Sequence, residues 1–145
     1  MTTLEDVRND SLRYGPFAYV ATVGADGDPH LAPVAVTWHG DDLLTFVRSD
    51  SRKVKNLAHR ARATVHFAVG PQTNWDSCIV WCDVGVVDTV EGRTALWDSM
   101  GYDLAAFEPG GPECDDHVFV VMRPTRATIL RNYGIGGRES WRGAR

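Results

Sequence analysis

Between Phe17 and Val47 the chain lays down three strand-like runs joined by turns too short for anything but a meander. Phe17 to Val23 is apolar on both faces: Phe17, Tyr19, Ala21 and Val23 alternate with Ala18 and Val20. Ala25-Asp26-Gly27-Asp28 follows as a hairpin turn, Asp-Gly supplying the positive φ that such turns need. A second strand from about Pro29 to Trp38, a turn at His39-Gly40-Asp41-Asp42 and a third strand from Leu43 to Val47 complete the unit. Thr64 to Val69 and Cys78 to Val90 extend the series around a Gly- and Pro-punctuated loop from Gly70 to Ser77, and Gly85 predicts a bulge or bend in the longer strand. Val118 to Met122 and Ala127 to Leu130 read as two further strands joined through Arg123-Pro124-Thr125. Helices are expected at Leu4–Val7 behind a Thr3 cap, ending near Gly15-Pro16, at 52–61, and at Thr94–Met100. Gly101 to Asp116 has little pattern, and a Gly- and Arg-rich tail runs from Asn132 to Arg145.

Six or seven mostly antiparallel strands with two to three short helices make a mainly β chain. An open sheet of so many two-sided apolar strands would expose a large sticky face, so a closed or nearly closed barrel is expected. For the same reason its outer surface is expected to meet a second copy of the chain.

With 145 residues, one domain spanning 1–145 is the expectation. A net charge of −4 argues against a nucleic acid or an anionic membrane as partner, and no apolar run has transmembrane length. Cys78 and Cys82 fall on one strand, roughly 13 Å apart at about 3.3 Å per residue, too far for a disulfide. With Cys114 they read as reduced thiols, mostly buried, in a cytoplasmic protein. His30, His39, His59, His66 and His117 show no metal-ligand spacing, so no metal is expected.

Against this acidic background one stretch is basic: Ser51-Arg52-Lys53-Val54-Lys55-Asn56-Leu57, which holds both lysines among the fifteen Lys and Arg residues. Val54, Leu57, Ala58 and Ala61 recur at helical spacing behind Ser51, a good N-cap. Free backbone N–H groups, the positive end of a helix dipole and three cationic side chains then meet in one place, as a phosphate requires. The plainer alternative is a solvated basic helix start without a ligand.

The order and spacing of these pieces resemble the FMN-binding split-barrel superfamily, which includes pyridoxamine 5′-phosphate oxidase-like proteins and oxidoreductases dependent on the deazaflavin coenzyme F-420. The resemblance is carried by Phe17 to His30, by Ala32-Pro33-Val34-Ala35-Val36, by the strand ending at Val47, and by Ser51-Arg52-Lys53 with Asn56-Leu57. It is clear over residues 17–69 and topological beyond. It implies a six- to seven-stranded antiparallel split β-barrel working as a homodimer, with a cofactor site at the subunit interface. Arg52 and Lys53 would grip the phosphate of FMN or of coenzyme F-420, with Ser51, Lys55 and Asn56 on the same turn. Pro33, Val34, Ala35 and Val36 would support the ring, and Val47 and Arg48 would lie near the ribityl chain or phosphate. Trp141, in a tail similar to segments that reach the pocket in related enzymes, joins this set.

Two departures stand out. Pyridoxamine 5′-phosphate oxidase itself carries an arginine where this chain has Ala32-Pro33, and an Arg-x-His motif where this chain has Arg131-Asn132-Tyr133. The resemblance therefore implies an oxidoreductase moving hydride to or from a small, unidentified acceptor, and not that oxidase. The competing expectation is a non-catalytic barrel that stores or senses a flavin, a deazaflavin or haem. Trp38, Trp75, Trp81 and Trp97 are read as packing; Asp115-Asp116-His117 could mimic an acid–base pair but is read as a solvated loop leading into a strand.

Overall fold

The computed structural model describes residues 1–144; Arg145, the last residue of the expected tail, lies outside them. The chain folds as a mainly β split barrel. In chain order the elements are α1 (Leu4–Ser11), β1 (Phe17–Val23), β2 (Pro29–Ala35), β3 (Thr37–His39), β4 (Asp42–Arg48), α2 (Arg52–His59), β5 (Arg62–Phe67), β6 (Ser77–Val87), α3 (Val90–Leu96), β7 (His117–Leu130) and β8 (Arg138–Arg142).

All ladders are antiparallel, in the order β2-β1-β5-β6-β7-β4-β3, with β8 paired to β7. The predicted Pro29–Trp38 strand is broken at Val36, so β2 and β3 end on opposite edges of the sheet although they are consecutive in sequence. That break curls the sheet on itself. The seam between β2 and β4 carries no ladder; the Thr45 hydroxyl donates to the Ala35 carbonyl across it at 2.8 Å. Inside the curl lie Val20, Leu43, Val65, Phe67, Val80, Val120 and Met122, all 2% exposed or less.

Other differences from the sequence reading have local causes. The 118–130 region is one continuous strand, because β6 pairs with its whole length while β4 and β8 share its other edge. The register shift in β6 falls between Trp81 and Cys82, opposite Thr125, rather than at Gly85. Pro124, with no N–H to give the ladder, sits beside it, and the Thr125 hydroxyl donates to the Trp81 carbonyl at 3.1 Å. The third helix begins at Val90, capped by Thr89, whose hydroxyl accepts the Gly92 N–H at 3.1 Å. A Cβ at Gly92, in its first turn, would clash with Val87 Cγ1, so close packing accounts for glycine there.

The expected helix at Thr94–Met100 ends at Leu96, and the rest of it runs on with the unpatterned Gly101–Asp116 segment to cover the outer face of β4 and β7. Met100 and Leu104 bury against Leu44 and Phe119, with Phe46, Trp97, Tyr102 and Val121 around them. Arg93, 2% exposed, ties it down by donating to the carbonyls of Asp88 at 2.7 Å and Pro112 at 2.8 Å. This part of the outer surface, expected to need a second copy, is thus covered by the chain itself. The β1–β2 face is left bare, with Phe17 61%, Tyr19 45% and Leu31 64% exposed.

Candidate functional site

The seam opens outward into a cleft of about 820 Å³. One wall is the end of β2, Pro33 to Val36, continuing into Thr37; the opposite wall is Phe46, Val47 and Arg48 at the end of β4. Ser51 and Lys53 close one end with Asp50, while Pro16 and Phe17 flank the mouth. Gly101, Tyr102, Phe107 and His117 supply the far wall. Being an edge strand, β2 keeps the backbone groups of its outer side out of any ladder, so apolar side chains and backbone donors and acceptors occur together there.

The polar end is set by the start of α2. Ser51 caps it, with the Val54 N–H at 3.5 Å from Ser51 Oγ, a distance at which the hydroxyl keeps bonding capacity for a ligand. Lys53 is half-buried, and that burial holds its ammonium below the ordinary lysine range. Among the described residues it makes no ion pair, whereas Arg48 is held by Asp50 at 3.1 Å. The Arg48–Asp50 pair also neutralises a carboxylate that would otherwise repel an anion in the cleft. Lys53 is therefore the cation left unmatched, at a helix N-terminus whose first N–H groups seek acceptors.

The structure divides the basic stretch. Ser51 and Lys53 enter the cleft with Pro33, Val34, Ala35, Val36, Val47 and Arg48. Arg52, Lys55 and Asn56 line a separate depression of about 530 Å³, together with Gly24, Asp26, Asp28, His30 and His59. Asn56 is 3% exposed and donates to the Thr22 hydroxyl at 3.0 Å, fixing α2 to β1. Trp141 lies on β8 opposite Ala127 and packs against the core, outside the cleft.

Several cleft residues were not assigned to the site by sequence reasoning: Phe17, Thr37, Phe46, Tyr102, Phe107 and His117. Thr37 accepts the Gly101 N–H at 3.1 Å, which draws the covering segment to the cleft rim. Tyr102 and Phe107 meet edge to face at 5.5 Å, and burial raises the Tyr102 phenol above its usual range. The His117 ring stacks on Phe46 at 4.8 Å and 10°, and its Nδ1 lies 3.1 Å from Glu108 Oε1. His117 is thus a structured wall residue rather than part of a solvated loop. The Cys114 thiol first, then His117 and the Gly110 N–H, hold the Glu108 carboxyl below its ordinary range, against the opposing effect of desolvation.

A family model described as pyridoxamine 5′-phosphate oxidase matches residues 4–131. Among solved structures, the chain is similar to a pyridoxamine 5′-phosphate oxidase-related, FMN-binding protein from Nostoc punctiforme, at 19% identity over 92% of this chain and 83% of that one, TM-score 0.68. It is also similar to a Clostridium acetobutylicum protein related to general stress protein 26, of the pyridoxinephosphate oxidase family, at 12% identity over 97% and 96% of the two chains, TM-score 0.77. An F420 reductase matches at 24% identity over 81% and 94%, TM-score 0.60. No protein of curated function matches the sequence.

Proposed function

The chain belongs to the pyridoxamine 5′-phosphate oxidase family, and from that premise we propose that it is an oxidoreductase holding FMN or the deazaflavin coenzyme F-420 in the β2–β4 cleft. The observation that carries this reading is one continuous cleft with an unmatched, half-buried cation at one end and an apolar edge strand along one side. Its residues fit a phosphate-bearing ring system: a cation and a helix N-terminus for the phosphate, apolar side chains and backbone groups for the flat ring.

Lys53 and Ser51 bind the phosphate, with the α2 N–H groups behind them. Val34 and Val36 offer the ring an apolar surface, and Val47 and Arg48 flank the chain between ring and phosphate. Arg52, Lys55 and Asn56 enter this reading as supports of α2 rather than as direct phosphate ligands, because they face the other depression. The coenzyme, when bound, supplies hydride transfer; the protein orients it, shields it from water and shapes the space above it for a small redox acceptor.

Oxidation of pyridoxamine phosphate is not the proposed reaction. Arg131, at the place of the family's substrate-phosphate motif, is engaged with Asp10 at 2.6 Å, Glu139 at 2.9 Å and Asp76 at 3.3 Å, and so is not free for a substrate. A homodimer with the site at its interface is supported by the bare Phe17, Tyr19 and Leu31, of which Phe17 lines the cleft, and Trp141 would take part only from a partner copy. A cytoplasmic location is supported by three free cysteines. No helix among the described residues is long and apolar enough to cross a membrane.

The test is titration of coenzyme-free protein with FMN and with coenzyme F-420, followed by supply of reduced coenzyme and a panel of quinone- and enone-type acceptors. Binding with turnover supports the reading. Binding without turnover over the whole panel turns it into storage or sensing, and no binding of either coenzyme removes it.

A further inference from the structure

We propose that His117 is the acid–base group of the cleft: its Nε2 exchanges a proton with the bound substrate, and Glu108 is the positioning residue that fixes its tautomer. This rests on the oxidoreductase reading above and names how a substrate proton is handled there.

The imidazole is held on two sides. Phe46 stacks against its face at 4.8 Å, and Phe46 is itself wedged against Trp97 at 5.8 Å and Phe119 at 5.0 Å. Glu108, 7% exposed, lies 3.1 Å from Nδ1. Because the surrounding donors keep the Glu108 carboxyl ionised, it accepts, and Nδ1 carries the proton. Nε2 is then left to gain or lose a proton. Among the described residues it has no hydrogen-bond partner and is not a buried orphan, while the residue lines the cleft. A carboxylate on one imidazole nitrogen with the other open to a ligand space is the arrangement by which a histidine serves as general acid or base. The charged and titratable groups around it are Glu108, Cys114 and Asp116 from the covering segment, Arg48 across the ladder, and Asp50, Lys53 and Tyr102 in the same cleft.

An enone- or quinone-type acceptor that takes a hydride at one atom needs a proton at another. The hydride, with its electron pair, comes from a two-electron-reduced flavin-type coenzyme. At His117 the Nε2–H bond breaks, its electron pair stays on the ring, and a new O–H or C–H bond forms on the substrate. The neutral imidazole is then reprotonated by solvent from the cleft mouth. In the reverse direction the same nitrogen accepts the proton.

Two measurements test this. Nitrogen-15 NMR of histidine-labelled, coenzyme-free protein is expected to find neutral His117 as the Nδ1–H tautomer, with Glu108→Gln weakening that bias; a wild-type Nε2–H tautomer overturns the proposal. In single turnovers at saturating coenzyme with an enone acceptor, His117→Gln is expected to slow reduction by about 10²-fold or more, a loss larger than any change in coenzyme affinity. Added imidazole should restore part of the rate in His117→Gly. A wild-type rate in His117→Gln overturns the proton role alone, and so does a loss confined to coenzyme affinity. Failure of the wild type to bind either coenzyme overturns the oxidoreductase reading and the substrate proton with it.

Discussion

Arg52 and Lys53 are neighbours in sequence, yet they open onto different depressions: Lys53 lines the 820 Å³ cleft at the β2–β4 seam and Arg52 the 530 Å³ hollow floored by Gly24 and His30. Successive residues on an α-helix point about 100° apart, so two adjacent cations at a helix start do not converge on one ligand unless it lies between them. Here the half-buried member, Lys53, is the one in the cleft, while Arg52 is exposed.

The two cations should therefore separate in binding measurements. Lys53→Ala should weaken coenzyme binding by about 1.5–3 kcal/mol, the range for a hydrogen bond to a charged group. Arg52→Ala should cost less than about 1 kcal/mol, as an exposed charge does. Calorimetric titrations of the two variants giving equal losses would contradict the assignment of Lys53 as the anchor.

Without a ligand the same lysine works against stability. Burial lowers its folded-state pKa, so the folded protein releases this proton more readily than the unfolded chain, and carrying the charge costs stability at neutral pH. That cost fades as pH rises through the lowered folded-state value and is gone above the ordinary lysine value of 10.5. Coenzyme-free Lys53→Met should melt above the wild type at pH 7, and the gap should narrow toward pH 11, as followed by thermal denaturation.

Asp76 ties three parts of the chain together: it accepts the Asn132 N–H at 2.8 Å and takes ion pairs from Arg13 at 3.1 Å and Arg131 at 3.3 Å. Desolvation raises its pKa, but these three interactions together outweigh that and hold it below the ordinary value of 3.8. With the folded pKa depressed, the stabilisation is present above pH 3.8 and is lost as pH falls through the folded value. Asp76→Asn should cost about 1.5–3 kcal/mol at pH 7 and flatten the acid limb of stability against pH, measured by urea unfolding. An unchanged acid limb would show that the network does not act through this carboxylate.

Cys78 and Cys82 are fully buried, and burial pushes both thiols up to about 12. Native protein at pH 8 should leave both unmodified by a thiol reagent over hours, with all three cysteines reacting once it is unfolded. Rapid native labelling of either would mean that the barrel opens locally around β6.

Phe17, Tyr19 and Leu31 stand on the bare β1–β2 face, with Phe17 beside the cleft. Leu31→Arg should shift the protein from dimer to monomer in sedimentation at micromolar concentration and weaken coenzyme binding in parallel. A wild type that sediments as a monomer would remove the interface from the proposal.

Much of the fold was legible because its signals are local. Thr3 with Asp6 forms the capping box, Asp26-Gly27 makes the hairpin turn with Gly27 at φ +85°, and Ser51 starts α2. What was missed depended on distant partners. The strand split at Val36 follows from closing the barrel, and the single run of β7 from pairing with the whole of β6. The segment from Gly101 to Asp116 looked patternless because its apolar residues serve different surfaces rather than one helical face: Leu104 packs against Leu44 and Phe119, while Phe107 lines the cleft.

The candidate site divides the same way. By itself the sequence determined that a basic helix start follows a three-strand meander, because capping, turn chemistry and apolar alternation act over a few residues. Only the tertiary structure decided that Lys53 and not Arg52 lines the cleft with the end of β2, and that His117 lines the same cleft with Glu108 at its Nδ1. Those placements depend on how a curled sheet meets its own edge and on which side chains that closure buries, and neither is encoded in residue spacing.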